Sequence, residues 1–202
     1  MSKHIIGCDV DGVLTDLYAH NIREGRKVFH REPFDPAAYD LDKMFDVSGI
    51  PKPIRYAKAF GIYCRYCKNE PQRDGAARVI SELSRQGFEF HAITSRLFAF
   101  NRNLFGKIVR GWLTDWLSDK KISFKKIHLC RDESGPKDKL YFCQIINVKV
   151  MIEDKPENAL YLAQNGILVL LFDAPYNRDL NHKNITRVHS WEEIRNNLYS
   201  MK

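Results

Sequence analysis

His4-Ile5-Ile6-Gly7-Cys8-Asp9-Val10-Asp11-Gly12-Val13-Leu14-Thr15-Asp16 is the stretch that decides how this chain folds. It begins as a short apolar run and ends on an acidic residue, the pattern of a strand buried on both faces. Asp9 and Asp11 leave that run at i and i+2. Carboxylates emerging from a buried strand are costly unless something uses them. As the strand opens into a loop both can converge on one cation, and Gly12 permits the turn this needs. In open α/β sheets, ligands bind in the crevice beyond the carboxyl ends of the strands.

Runs of the same kind recur at Phe88 to Thr94, Ile127 to Cys130, Val148 to Ile152 and Ile167 to Phe172. Helical periodicity lies between most of them. Asp74 to Gln86 places Ala77, Ile80 and Leu83 on one face, with Gly87 suited to follow the helix end. Phe100, Leu104, Ile108, Trp112 and Trp116 form an i+4 stripe, widened by Phe105, Val109, Leu113 and Leu117, which we expect to pack into the core rather than meet a partner. Lys139 to Ile146, Pro156 to Gln164 and Trp191 to Leu198 complete the helices. Strands alternating with helices predict an α/β fold built on a doubly wound parallel sheet.

One segment breaks the alternation. Leu17 to Arg73 holds Pro33, Pro36, Pro51, Pro53 and Pro71, five of the chain's 8 prolines, and is rich in aromatic residues. We read 17–74 as a small, mostly helical lobe inserted after the first strand, and 1–16 with 75–202 as the core.

The 202 residues are 44% hydrophobic and 12% aromatic, which excludes a disordered chain. The longest apolar run, Ile167 to Phe172, is far shorter than a bilayer requires. Met1 to Asp9 reaches an acidic residue too early for a signal peptide, and 5 cysteines suggest no disulfide framework. A cytoplasmic protein is expected. The net charge of +7 is concentrated between Arg96 and Ile145, where 11 Lys/Arg face 5 Asp/Glu. A solvated helix face accounts for most of it, and no nucleic-acid-binding pattern accompanies it.

The other strand ends bring polar residues to the same edge. Thr94-Ser95-Arg96 offers two hydroxyls and a cation, Glu153-Asp154 a second acidic pair, and Lys139 or Lys137 an ammonium one helix earlier. Carboxylates for a hard cation, hydroxyls for phosphoryl oxygens and a lysine to offset charge suit phosphoryl transfer.

Four segments in order carry a family resemblance. Asp9-Val10-Asp11-Gly12-Val13-Leu14-Thr15-Asp16 resembles the first motif of the haloacid dehalogenase (HAD) superfamily of phosphohydrolases. Thr94-Ser95-Arg96 is similar to the second, Lys139 to the third, and Ile152-Glu153-Asp154-Lys155-Pro156-Glu157-Asn158 to the fourth. The Glu-Asp form of the fourth motif and the tail Tyr176-Asn177-Arg178 with Arg187-Val188-His189-Ser190-Trp191 resemble the 5′(3′)-deoxyribonucleotidase type.

The resemblance implies a HAD-like core with a cap formed by the inserted lobe. It implies Asp9 as nucleophile, forming an aspartyl-phosphate, and Asp11 as general acid and base. Thr94, Ser95 and Lys139 would hold the phosphoryl group, with Lys137 an alternative to Lys139. Mg²⁺ would sit on Asp9, the backbone carbonyl of Asp11, and Asp154, with Glu153 behind them. Arg96 either meets substrate phosphate or pairs with an acid. The implied activity is a Mg²⁺-dependent 5′-nucleotidase acting on a small phosphorylated substrate. A sugar or polyol phosphatase and a non-catalytic binding module are the rivals, and a homodimer stays open.

Other residues have plainer readings. Asp16 is expected to cap a helix. Cys64 and Cys67 have half of a zinc site's spacing, with His20 and His30 in the same lobe, but buried thiols packing the lobe are the simpler reading. Phe29, Phe34, Tyr56 and Tyr63 either line a pocket or form the lobe's core.

Overall fold

Apolar runs separated by helices pair into one sheet of six parallel strands in a computed structural model that describes residues 4–201. The strands are β1 (His4–Cys8), β2 (Phe88–Thr94), β3 (Ile127–Leu129), β4 (Val150–Glu153), β5 (Leu168–Phe172) and β6 (Ile185–Val188). Their spatial order is β3-β2-β1-β4-β5-β6. β1 therefore sits between β2 and β4, where the winding reverses, and the crevice beyond that reversal is the expected ligand site. The sixth strand was not among the five expected. Ile185-Thr186-Arg187-Val188 lies at the sheet edge with only Val188 fully buried, so it lacks the continuous apolar signal of the inner strands.

Period-two alternation splits the core between the two faces of the sheet. Ile6, Cys8, Val150, Ile152, Leu170 and Phe172 point to one face. There they meet α4 (Ala76–Arg85), α5 (Leu104–Asp119) and α8 (Trp191–Ser200). Met151, Val169 and Leu171 point to the other, against α6 (Gly135–Ile145) and α7 (Pro156–Gln164). Local signals set several helix ends. Ser190 accepts a hydrogen bond from the Glu193 amide, Pro156 occupies the first turn of α7, and Gly87 follows α4 with φ +95°. Asp16 caps its helix as expected, accepting from the Ala19 amide at 2.9 Å.

Between β1 and α4 lie α1 (Leu17–Phe29), α2 (Leu41–Met44) and α3 (Lys52–Asn69). Phe29, Met44, Phe45, Val47 and Ile62 give this segment its own apolar cluster. The domain bounds proposed from sequence begin at residue 1 and end at 202, and the N-terminal signal reading includes residues 1–3. Those positions lie outside the described residues.

Two expectations are corrected. Helix α5 begins at Leu104, so Phe100 precedes it, and Leu104 and Ile108 are 75% and 40% exposed. The buried apolar residues are Val109, Leu113, Trp116 and Leu117, one from the i+4 stripe and three from those that widen it. One helix can present two adjoining apolar stripes, and only the position of the sheet decides which is covered. Helix α6 starts four residues before Lys139, at Gly135. No helix among the described residues is long and apolar enough to cross a membrane.

Candidate active site

Asp9 follows β1 and Asp154 follows β4, so the switch between these neighbouring strands brings the two carboxylates together. One oxygen each of Asp9, Glu153 and Asp154 lies within 4.8 Å of the others, and all three side chains are buried. The backbone locks the strand ends: the Asp9 amide donates to the Ile152 carbonyl at 2.9 Å. Gly12 is indispensable here. Its φ is +80°, and a Cβ at that position would stand 1.9 Å from Asp154 Oδ2.

Of Lys139 and Lys137, Lys139 is the one that reaches the carboxylates. Its ammonium is fully buried and donates to Asp9 Oδ2 at 2.5 Å and to Glu153 Oε1 at 2.7 Å. Lys137 is exposed. The turn of α6 explains the choice, because Lys139 shares the inward face with Gly135, Leu140 and Cys143. Asp9 Oδ1 accepts from the Val10 amide at 2.7 Å. Burial opposes the charge on Asp9, yet Lys139 and these hydrogen bonds hold its carboxyl below the usual range. Burial is also the first influence on Lys139, pushing down, but Asp9 and Glu153 raise it above the ordinary lysine range.

Glu153 is enclosed by protein donors. Its Oε1 accepts from Lys139 and from Asn158 Nδ2, and its Oε2 from the Asp154 amide at 3.1 Å. Burial drives its carboxyl well above the usual range. Burial, and then the charge of Asp9, lift Asp154 to about 7. Three carboxylates around one lysine thus leave negative charge that a cation would offset.

Arg96 pairs with an acid. It is 2% exposed and holds Asp11 with Nη2 at 2.5 Å and Nε at 3.1 Å from Oδ1. Asp11 is not one of the Asp9–Glu153–Asp154 group, though it lines the same crevice as Asp9. Thr94 ends β2 and Ser95 follows it, and Ser95 Oγ faces Gly135, where a Cβ would come within 2.9 Å.

Buried polar atoms without partners concentrate in this region: Thr94 Oγ1, Ser95 Oγ, Arg96 Nη1, Ser134 Oγ and Asp154 Oδ1. Such atoms are rare in folded proteins and mark a place built for a bound group. The set is chemically mixed in the right sense, with hydroxyls suited to phosphoryl oxygens and a carboxylate oxygen suited to a hard cation.

A cavity of about 560 Å³ opens above these residues. Leu17, Tyr39, Tyr63 and Tyr66 enter it from the inserted segment, and Leu97 from the core. Tyr63 donates to the Leu97 carbonyl, and the Tyr66 hydroxyl is paired with Thr15 Oγ1. Of the aromatics singled out from sequence, Tyr63 lines the cavity and Phe29 is in the segment's core, whereas Phe34 and Tyr56 face outward. Tyr39, Tyr66 and Ser134 were missed, since nothing local to them marks a site. Asp9, Glu153 and Asp154 are the one group of three metal-ligating side chains among the described residues. Cys64 and Cys67 therefore gain no further ligand, and all five cysteines are free thiols.

The comparisons with known proteins agree with this geometry. The chain is 33% identical over 199 residues to a nucleotidase of Clostridium acetobutylicum, covering 96% of this chain and 93% of that one. It is 26% identical over 199 residues to a Chlorobaculum tepidum protein provisionally named a 5′(3′)-deoxyribonucleotidase, covering 96% and 90%. In fold it is similar to a HAD-superfamily hydrolase of subfamily IA from Geobacter sulfurreducens, at a TM-score of 0.63, 13% identity, and coverage of 97% and 96%. The family model described as 5′ nucleotidase, deoxy (pyrimidine), cytosolic type C matches residues 3–202, and the chain belongs to that family of phosphatases.

Proposed function

We propose that this phosphatase hydrolyses nucleoside and deoxynucleoside 5′-monophosphates in a Mg²⁺-dependent reaction through an aspartyl-phosphate on Asp9. One observation carries the reading: buried atoms of Thr94, Ser95 and Asp154 stand without partners at the strand ends next to Asp9, a carboxylate already held by Lys139. Asp9, Asp154 and the Asp11 carbonyl would hold Mg²⁺, which supplies positive charge against the phosphoryl oxygens when bound.

The residues divide the remaining work. Asp9 attacks phosphorus while the bond to the leaving oxygen breaks, and Asp11 gives that oxygen a proton. Asp11 then takes a proton from water as the water oxygen attacks the aspartyl-phosphate. The phosphorus–Asp9 bond breaks, releasing inorganic phosphate and restoring the enzyme. Thr94 and Ser95 hold phosphoryl oxygens, while Lys139 offsets charge at Asp9 throughout. Glu153 orients Lys139 instead of ligating the cation. Residues 17–74 act as a cap that covers the site and excludes water. The tyrosines that the cap lends to the cavity favour a flat nucleobase over a polyol. Five free thiols agree with a cytoplasmic setting.

Inorganic phosphate release should be measured on nucleotide, sugar and polyol monophosphates, with Mg²⁺ or EDTA. Turnover led by nucleotides, lost in EDTA and in Asp9→Asn, is expected. Turnover that survives Asp9→Asn would overturn the covalent route.

A further inference from the structure

Tyr176 has no role in the steps above, yet its hydroxyl is committed to the site. It sits in a 3-10 turn, Pro175–Asn177, that follows β5, and it donates to Asp154 Oδ2. The other oxygen of that carboxylate, Oδ1, is the buried one without a partner. The two oxygens thus have separate duties, one tethered and one presented to the site.

The tether is itself anchored on the core side. Asn177 Nδ2 donates to the Asp154 carbonyl at 2.7 Å and to the Phe172 carbonyl at 2.9 Å. Arg187, on the edge strand β6, donates to Asn177 Oδ1 at 2.7 Å and to the Asn177 carbonyl at 2.9 Å. On its other side the Tyr176 ring meets the inserted segment. It stands edge-on to Tyr39, with centroids 5.0 Å apart and planes at 88°, and lies 6.3 Å from Tyr18. One side chain therefore touches both a candidate cation ligand and the segment that covers the site.

We propose that Tyr176 is a positioning residue that aims Asp154 at the divalent cation, and that Tyr39 and Tyr18, packed on its ring, couple the cap to cation binding. The carboxylate torsion of aspartate is broad, so without the hydroxyl the direction of Oδ1 spreads. Hydrogen bonds to a ligating carboxylate are worth about ten- to a hundredfold in metal affinity. The coupling is reciprocal: whatever cap packing adds to cation affinity, the cation adds to cap packing. This inference rests on the metal-dependent reading above.

The test is calorimetric titration of the whole protein with Mg²⁺, without substrate, with circular dichroism to confirm folding. Tyr176→Phe, which keeps the ring, weakens Mg²⁺ binding about tenfold or more. Tyr39→Ala weakens it about two- to tenfold, the worth of one aromatic pair, and Tyr39→Phe leaves it at the wild-type value. Saturating Mg²⁺ restores phosphate release in Tyr176→Phe, as a general packing defect would not. Wild-type affinity in Tyr176→Phe overturns the positioning role while the phosphatase reading stands. Unchanged affinity in Tyr39→Ala overturns the coupling to the cap. A wild-type protein that turns over substrate but binds no Mg²⁺ removes the metal-dependent reading, and this inference with it.

Discussion

Replacing Lys139 with Met removes one buried charge and little volume, and the consequence follows from the contacts. The ammonium is 0% exposed and lies 2.5 Å from Asp9 and 2.7 Å from Glu153. At an effective dielectric constant of about 20, each such pair is worth about 6 kcal/mol before desolvation. Dehydrating the ammonium takes back several kcal/mol, and breaking a buried pair by removing one partner costs about 3–5 kcal/mol net. We therefore expect Lys139→Met to lose about 3–5 kcal/mol of stability at pH 8 in EDTA. The loss depends on pH with a definite sign. In the wild type the Asp9 carboxyl is held low, so its contribution is present above the unfolded carboxylate range and disappears as pH falls through the folded value. In the variant, Asp9, Glu153 and Asp154 repel one another without a cation, and their folded values rise above the unfolded ones. The folded variant then binds extra protons and weakens as pH rises, so its deficit is smaller at pH 5 than at pH 8. Urea unfolding at both pH values, followed by tryptophan fluorescence, measures the deficit. Adding Glu153→Gln to Lys139→Met should recover part of it at pH 8. A deficit under about 1 kcal/mol, equal at both pH values, would refute the assignment of Lys139 as the counter-charge of this cluster.

Gly12→Ala should abolish phosphate release in a protein that still folds, because the added methyl would displace the Asp154 carboxylate at 1.9 Å; the assay is activity beside circular dichroism, and retained turnover would contradict it. Asp40, Asp132, Glu133 and Glu157 line the cavity beside a single lysine at its lining, Lys155, so nucleoside diphosphates should be poorer substrates than monophosphates. Glu133→Lys should raise the diphosphate-to-monophosphate ratio of kcat/KM about fivefold, roughly the 1 kcal/mol of one charge contact in water. Burial, and then His91 at 3.0 Å, lower His128 to about 4 from an ordinary 6.5. Its folded form takes up its proton later than the unfolded chain, so stability should fall between pH 6.5 and 4 and be level above. Thermal melts of His128→Gln across that range should show a shallower decline than the wild type.

How far the sequence alone reaches can be judged at particular residues. The four inner strands were legible because burial on both faces demands continuous apolar runs, whatever the neighbours are, and the edge strand β3 was legible from Ile127, Leu129 and Cys130. The edge strand β6 escaped because half of it meets water, and nothing in the sequence showed that its Arg187 donates to Asn177. Asp9, Asp11, Thr94, Ser95 and Asp154 stood out in the sequence as polar residues at the ends of apolar runs, whereas Lys139, inside its helix, was preferred to Lys137 only through the family resemblance. The tertiary structure alone decided that Arg96 meets Asp11, that Lys139 is inside while Lys137 is outside, and which stripe of α5 is covered. It also decided that Tyr39 and Tyr176 meet at the carboxylate of Asp154. Those outcomes depend on which elements the sheet order places side by side, across separations of up to 137 residues for Tyr39 and Tyr176. Local propensity sets the phase of a helix or strand; it carries no information about the partner that closes over it.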